Sequence, residues 1–501
     1  MIDRLHWGSI GTALCLAMVI GGTGSQTVAQ EEPPGDGLFW PHPVPAYIPP
    51  GEVVWDKLYE IGSGPERVAV VVWHDPAQDP PDGLYGLLQS SIDAYAFDVA
   101  RAGFTVAVIK FYGMAADPLA DQPEEKDLRD KLLEMWSEPQ SLAGAVLVGN
   151  VQYLLFERDQ DPDPEEYDFI DFASDTLIAD LDGTISDTLD EDDGPPGTWR
   201  AGVFDAWDPG GDQQEMEIWI SRIMARPALV QYFGRTQEEI LAEYFARNHT
   251  GRWSAFNTSG EALWYACDVS DVLPPVEALL QELFYDVKTV CPASGTYPCQ
   301  DGSPSWNDYV TARLPHGYAH IHLHACHGGP YYHRLPHPPA GPDAFRNVYR
   351  EHYTSADPQS LSYVFESCYN CDYAFAGASV GEVVTFNPDA VPTLVAFGGS
   401  KGIHARPLFY TYYSVLPQGR CIGEGYKELF NVFGDPPDDG ALGYVMLGDG
   451  TLKRWGEIVE WVSDGSSHTT GSEKGVTCQS RRLAALPRQN SIGMPHINRS
   501  Q

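Results

Sequence analysis

The sequence predicts an α/β fold in which helices flank a mainly parallel sheet. Short runs of apolar, β-favouring residues alternate along the chain with segments whose apolar residues recur at helical spacing. This alternation is typical of a parallel sheet, because each helix returns the chain across one face of the sheet before the next strand begins. The composition indicates a folded chain, since its 501 residues are 43% hydrophobic and 12% aromatic.

The first half of the chain carries the clearest alternation. We predict a buried strand at 67–73, a helix over 84–102, a second strand at 104–111 and a third strand at 143–148. Between the last two strands Pro123 opens another helix, because proline is tolerated in the first helical turn, where its missing N–H has no intrahelical partner to lose. The predicted order is therefore strand, helix, strand, helix, strand.

The same patterns continue in the second half at wider spacing. Further strands are predicted at 217–226, 318–326, 361–366, 393–397 and 443–447. Further helices are predicted from a capping box of Thr236 and Glu239 to Phe245, near 276–285 and at 423–433. The section 157–215 is acidic and is predicted to be a loop insertion.

We expect five segments along the chain. Residues 1–29 have the features of a secretory signal peptide: a positive start, an apolar run and a small-residue cleavage site. The other four are an N-terminal linker or arm at 30–60, an N-terminal α/β subdomain with the acidic loop at 61–235, a second α/β subdomain at 236–462 and a polar tail at 463–501. The signal peptide predicts a secreted or periplasmic protein. No later apolar run is long enough to predict a membrane span.

The acidic balance of the chain limits its partners. The chain has 31 basic and 70 acidic side chains and a formal net charge of −39. Such a charge argues against nucleic-acid phosphates or anionic lipid as partners. It is compatible with a cationic substrate, with bound calcium, or with solubility alone. No oligomeric state follows from the sequence.

Three carboxylates in the acidic section form a candidate calcium site. Asp180, Asp182 and Asp187 are spaced around Gly183, so that they can converge on a hard cation across a glycine turn. The closing glutamate of a twelve-residue calcium loop is absent. A calcium site and a solvated acidic loop are therefore both open.

Two predicted strands end at potentially reactive side chains. The strand at 318–326 runs into His327 and Gly328, and the strand at 361–366 runs into Ser367 and Cys368. If these strands are parallel neighbours, their carboxyl ends place an imidazole beside a thiol. A histidine so placed activates a thiol as general base or ion-pair partner, and a backbone amide after it can hold an oxyanion.

These motifs resemble the gingipain-type cysteine peptidases of the caspase-like clan. The pieces that carry the resemblance are 143–150, 174–183, 220–223, His327-Gly328, Ser367-Cys368, Gly381-Glu382 and 447–452. The resemblance implies a caspase-like or gingipain-like sheet, a protein or peptide substrate and no cofactor for catalysis. It also implies that Cys368 is the nucleophile, that His327 is the general base and that the amides of Gly328 and Cys368 face the oxyanion. Asp175 matches the acidic pocket residue that some members use to accept a basic side chain.

The sequence leaves alternatives open. Cys326 and Cys371 are departures from the family pattern, and a disulfide from either to Cys368 would give an inactive relative. Cys291 and Cys299 flank a Pro/Gly/Ser loop and are the predicted disulfide pair. A secreted, non-catalytic binding protein on the same fold is a further alternative.

The histidines of the strand at 318–326 support one more hypothesis. His322, His324 and His327 resemble the zinc box of metallo-β-lactamase-fold hydrolases, with Cys326 in place of an aspartate. Imidazoles and a thiolate are good zinc ligands, so a zinc-dependent hydrolase is chemically reasonable. Histidines that alternate on one face of a half-buried strand and form hydrogen bonds would give the same pattern.

Overall fold

A computed structural model places most of the predicted elements in one large sheet. It describes residues 54–74, 83–112, 123–151, 153–159, 169–186, 206–208, 215–253, 260–267, 273–292, 301, 303–337, 344–356, 360–389, 393–401, 409–433 and 442–453. The predicted signal peptide, most of the predicted arm and the polar tail lie outside the described residues.

The strands are β1 (Val54–Ile61), β2 (Glu66–Trp73), β3 (Phe104–Tyr112), β4 (Leu142–Val148), β5 (Leu155–Asp159), β6 (Phe169–Ala173), β7 (Thr184–Ser186), β8 (Ala206–Asp208), β9 (Trp219–Ile223), β10 (Glu261–Ala266), β11 (Asp286–Val290), β12 (His320–His324), β13 (Gly328–Gly329), β14 (Tyr332–Pro336), β15 (Phe345–Tyr349), β16 (Ser362–Phe365), β17 (Val395–Gly399) and β18 (Tyr444–Gly448).

The α-helices are α1 (Gly83–Arg101), α2 (Pro123–Trp136), α3 (Thr176–Ala179), α4 (Pro227–Phe233), α5 (Gln237–Trp253), α6 (Leu273–Leu283), α7 (Trp306–Asp308), α8 (Arg350–Ala356), α9 (Val380–Phe386), α10 (Tyr410–Val415) and α11 (Ile422–Phe433). A π-helical turn covers Tyr309–Arg313, and a 3₁₀ turn covers Leu416–Gln418. Among the described helices, none combines the length and the apolar character needed to cross a bilayer.

Eleven of the described strands form one sheet, in the order β1-β3-β2-β4-β9-β18-β17-β16-β12-β10-β11. Within it, β1 with β3 and β17 with β18 pair antiparallel, and the other neighbours pair in parallel. Every residue of the central strands β9, β16 and β18 is buried, as expected where helices cover both faces of a sheet. The predicted α/β fold with a mainly parallel sheet is confirmed.

The two halves of the chain contribute to this sheet without a break. β18, from the end of the described chain, lies between β9 of the first half and β17 of the second. The turn after β18 is fixed by Asp449, a fully buried carboxylate that accepts hydrogen bonds from Tyr95 (2.8 Å), Asn248 (2.7 Å) and Arg252. The predicted subdomains at 61–235 and 236–462 therefore share one sheet and one core.

Several elements were missed by the sequence analysis. Val54–Ile61 falls almost entirely in the predicted arm, yet it forms the edge strand β1, antiparallel to β3. β10 and β11 close the opposite edge of the sheet, and β5 with β6 forms a hairpin where a loop was predicted. β5, β6, β10 and β11 are five or six residues long, and β1 contains Asp56, Lys57 and Glu60, so the periodicity of each strand is weak without its partner.

Candidate active site

The two strands that lead to the predicted reactive groups are neighbours. β12 and β16 pair in parallel. Two backbone hydrogen bonds continue this pairing past the strands, from the amide of Glu366 to the carbonyl of Leu323 at 2.9 Å and from the amide of Cys326 to the carbonyl of Glu366 at 3.3 Å. His327 and Cys368 therefore follow adjacent strands at the same edge of the sheet, which is the placement that the sequence predicted.

The backbone turns sharply beside both residues. Ala325 has a φ of 52° and Tyr369 a φ of 60°, and they are the non-glycine residues with positive φ in the described part of the chain. The left-handed region is costly for such side chains, and residues held there are concentrated at functional sites. One turn lies just before His327 and the other directly after Cys368.

The two loops are in direct contact through a glycine. A Cβ placed on Gly328 would lie 2.7 Å from the carbonyl oxygen of Cys368 and 3.0 Å from the Cβ of Ser367, so only glycine fits without a shift. The Asn370 side-chain amide donates to the carbonyl of Gly329 at 2.6 Å and accepts a hydrogen bond from the Ser367 hydroxyl. Together these contacts fix the loop that carries His327 against the loop that carries Cys368.

The reduced cysteines differ in their environments. Cys368, Cys371 and Cys421 are not in disulfides, and Cys368 is the half-buried member of the three, whereas the other two are buried. Burial raises the pKa of Cys371 well above its ordinary value and that of Cys421 to about 12. Of these three thiols, Cys368 is the one that solvent can reach.

The disulfides remove one of the inactive alternatives. Cys326 is bonded to Cys267, at the end of β10, and not to Cys368. Cys371 is also reduced, so neither predicted competitor engages the candidate nucleophile. Cys291 is disulfide-bonded, while its predicted partner Cys299 lies outside the described residues.

Asp175 has a different environment from the one that a substrate-pocket role requires. Its carboxylate is fully buried and binds the guanidinium of Arg222 at 2.7–3.1 Å, and Tyr373 donates to it at 2.9 Å. Arg222 also donates to the carbonyl of Val151 at 2.7 Å. A carboxylate saturated in this way is not available to an incoming basic side chain, so the sequence-based role of Asp175 is corrected to that of a buried ion-pair member.

The candidate calcium residues are described only in part. Asp180 and Asp182 offer oxygens within 4.8 Å of each other and of Glu217, which the sequence analysis did not include. Burial, followed by the charges of Asp180 and Asp182, raises the pKa of Glu217. Asp187 lies outside the described residues, and the calcium site stays a prediction.

A chain of buried hydrogen bonds runs beneath the candidate nucleophile. It links, in order, Ser362, His320, Tyr413, His322, Glu366 and His324, with distances of 2.6, 2.8, 2.8 and 3.4 Å along the first four links. Burial, followed by the neighbouring His322 charge, lowers the pKa of His320 well below its ordinary value. Burial lowers the pKa of His322 to about 4, against the opposing effect of Glu366. Both imidazoles are therefore neutral at pH 7.

Glu366 was missed by the sequence analysis. It is 3% exposed and lies two residues before Cys368, on the same side of β16 as its hydrogen-bond partners on β12. Burial opposes its charge, but His324 and His322 lower its pKa below the ordinary value. The sequence signal was the alternation of side chains along a strand, because residues two apart face the same side of the sheet. The predicted zinc set is also corrected, since His322 and His324 group with Glu366 while His327 is exposed.

His333 is a buried histidine for which we expect a pH effect on stability. It is fully buried among Tyr309, Tyr353 and Phe365, and neither ring nitrogen has a hydrogen-bond partner. Burial lowers its pKa from 6.5 to about 3. Since the folded state needs the neutral ring, its contribution is complete above pH 6.5 and decreases as the pH falls, by about 2 kcal/mol at pH 5.

The variant His333→Phe is expected to weaken this acid dependence. Denaturant unfolding between pH 7 and pH 5 measures it, with the exposed His316→Gln as the matched control, which should lose as much stability as the wild type. An unchanged pH slope in His333→Phe would show that the His333 ring is hydrated or partnered in solution.

Comparisons with known proteins find solved structures of distantly similar fold. No protein-family model matches the chain, and no curated protein matches it. Among solved structures, the Arg-specific cysteine proteinase gingipain R is similar at 13% identity and a TM-score of 0.47, over 78% of each chain. A structure described only as a protease has 12% identity and a TM-score of 0.46, over 79% of this chain and 80% of that one.

A complex of the pro- and mature domains of Porphyromonas gingivalis RgpB has 11% identity and a TM-score of 0.46, over 77% of this chain and 79% of that one. With all three TM-scores below 0.5, the similarities do not establish an activity, a site or a substrate.

Proposed function

We propose that the protein is a secreted or periplasmic cysteine endopeptidase in which Cys368 and His327 form a catalytic dyad. The observation that carries the proposal is the contact between the two loops at one edge of the sheet, with the Gly328 Cβ position 2.7 Å from the Cys368 carbonyl oxygen. The accessible thiol of Cys368 supports it, because a nucleophile must meet its substrate at the surface.

The dyad accounts for both halves of peptide hydrolysis. His327 takes the thiol proton, and the Cys368 sulfur bonds to the substrate carbonyl carbon as the carbonyl electron pair moves to oxygen. The amides of Gly328 and Cys368 donate to that oxyanion. Its collapse expels the amine, which receives the proton from His327. Water, deprotonated by His327, then cleaves the thioester and releases the acid and the thiol.

The reaction requires no metal or organic cofactor, and the proposed substrate is a protein or peptide. The predicted signal peptide supports action outside the cytoplasm, where the Cys267–Cys326 disulfide is stable. The alternative is a peptidase-fold protein that binds without cleaving. It differs from the proposal in one property, the reactivity of the Cys368 thiol.

Thiol labelling tests the proposal. Iodoacetamide at pH 7 is expected to modify Cys368 rapidly in the folded protein and to leave Cys371 and Cys421 unmodified, because burial raises the pKa of both. Intact mass with peptide mapping identifies the site. The rate at Cys368 should fall several-fold in His327→Ala, since less thiolate is then present.

The matched control for this variant is His316→Ala, which removes another exposed imidazole that precedes β12, whereas His327 follows the opposite end of that strand. A Cys368 thiol that reacts no faster than a small-molecule thiol, with or without His327, would contradict the dyad and favour the non-catalytic alternative.

A further inference from the structure

Three metal-ligating side chains meet in the core beneath the candidate dyad. His322, His324 and Glu366 each offer a ligand atom, and these atoms lie within 4.8 Å of one another. Their residues are 0%, 2% and 3% exposed. None of the three has a role in the proposed peptidase reaction, which uses the exposed His327.

The hydrogen bonding of this cluster is incomplete. Nδ1 of His324 is hydrogen-bonded to Oε2 of Glu366, whereas Nε2 of His324 and Oε1 of Glu366 are buried and have no hydrogen-bond partner. The hydroxyl of Tyr444, which is within electrostatic range of Glu366, has none either. Buried polar atoms are almost always partnered, because an unpaired one costs about 1–3 kcal/mol. Several such atoms in one place indicate a missing ligand with an affinity for nitrogen and oxygen lone pairs.

The spacing and the surroundings fit a metal ion. Nε2 of His322 lies 3.4 Å from Oε2 of Glu366, and two ligands bound at about 2.0–2.1 Å to a tetrahedral ion are about 3.4 Å apart. The other nitrogen of His322 is bonded to the Tyr413 hydroxyl at 2.8 Å, which in turn is bonded to His320 at 2.8 Å. Metal-bound histidines are commonly oriented by such a partner on their second nitrogen.

We propose that His322, His324 and Glu366 bind one Zn²⁺ ion. Two imidazoles and one carboxylate are a ligand set that Zn²⁺ takes with a fourth position left to a further ligand. Because all three residues are buried, the effect expected of the ion is to hold the two strands together. The three ligands join β12 to the end of β16, two residues before Cys368. The ion thus fixes the strand ends on which the dyad loops depend. It is separate from the dyad itself and goes beyond the proposed peptidase function.

Elemental analysis of the purified full-length protein, expressed with zinc and without chelators, tests this site. The wild type is expected to carry close to one zinc per chain, and Glu366→Gln and His322→Gln close to none. The matched control is His333→Phe, which changes a fully buried histidine of β14 outside the hydrogen-bond chain of the ligand set and should keep its zinc. Circular dichroism establishes that each variant is folded.

A second measurement needs no variant. Wild-type protein unfolded with a chelator and refolded with ZnCl₂ is expected to melt at a higher temperature than protein refolded with chelator alone, because an ion that binds only the folded state stabilises it. No zinc in the purified protein together with equal melting temperatures would overturn the site. So would zinc retained by both ligand variants, or a different metal at one per chain.

The test separates this proposal from the proposed function. Cys368→Ala should keep its zinc, because Cys368 is outside the ligand set, and iodoacetamide labelling of Cys368 in the purified wild type is a separate readout of the dyad thiol. A protein that labels at Cys368, lacks zinc and melts at the same temperature after refolding with ZnCl₂ or with chelator would refute the metal site alone. A zinc-bound protein with an unreactive Cys368 would refute the dyad alone.

Discussion

Cys368→Ala is expected to abolish peptide hydrolysis and to leave the fold and the melting temperature nearly unchanged. Cys368 is half-buried and lies just past the carboxyl end of β16. Removal of its thiol therefore leaves no cavity in the core, while the covalent intermediate can no longer form. Loss of a catalytic nucleophile or base typically lowers kcat by about 10⁴–10⁶-fold. A panel of peptides with Arg, Lys, Asn and Asp at the cleavage position measures it.

The controls separate catalysis from packing. Cys421→Ala removes a buried reduced cysteine far from the dyad and should keep wild-type activity within a few-fold, at some cost in stability. His327→Ala should lose nearly as much activity as Cys368→Ala, and the double variant should lose little more, because the two act as one unit. Wild-type rates in Cys368→Ala would place the activity elsewhere.

The features of this site that depend on neighbouring residues in the chain were predicted better than those that depend on residues far apart in the sequence. The strands before His327 and Cys368 were predictable, because a buried parallel strand is a local apolar run. Their adjacency was a hypothesis, and the parallel pairing of β12 with β16 confirms it. For the contact of Gly328 with Cys368, the sequence could indicate only that glycine allows a close approach of the backbone at this position. The strained turns at Ala325 and Tyr369 leave no mark in residue type, since neither residue favours positive φ.

Residues whose roles depend on distant partners were predicted poorly. Asp175 was assigned to the substrate pocket because it matches the acidic pocket residue of the family that the motifs resemble, whereas its partner in the fold, Arg222, is 47 residues away. Glu366 was passed over for the opposite reason. It looks like the polar end of a strand until β12 is placed beside it and supplies His324 and His322. A periodicity argument describes one element at a time and cannot pair charges across a sheet.

The ion pair of Asp175 and Arg222 gives the largest expected effect on stability. Arg222→Met would leave the fully buried carboxylate of Asp175 without its cationic partner. Tyr373 would still donate a hydrogen bond to that carboxylate. Removing one member of a buried ion pair typically costs about 3–5 kcal/mol, because the other charge remains desolvated. The free energy of unfolding of Arg222→Met, measured by denaturant titration, should fall by about that amount.

The double variant Asp175→Asn/Arg222→Met separates the ion pair from simple loss of packing. The double variant leaves no unpaired buried charge. It should therefore recover a good part of the stability lost in Arg222→Met, since a neutral pair of similar volume avoids the desolvation cost. Asp175→Asn should also leave the preference among cleavage-position side chains unchanged, because a carboxylate already bound by Arg222 does not meet the substrate. A selective loss of cleavage after Arg and Lys in that variant, without loss of stability, would return Asp175 to the substrate pocket.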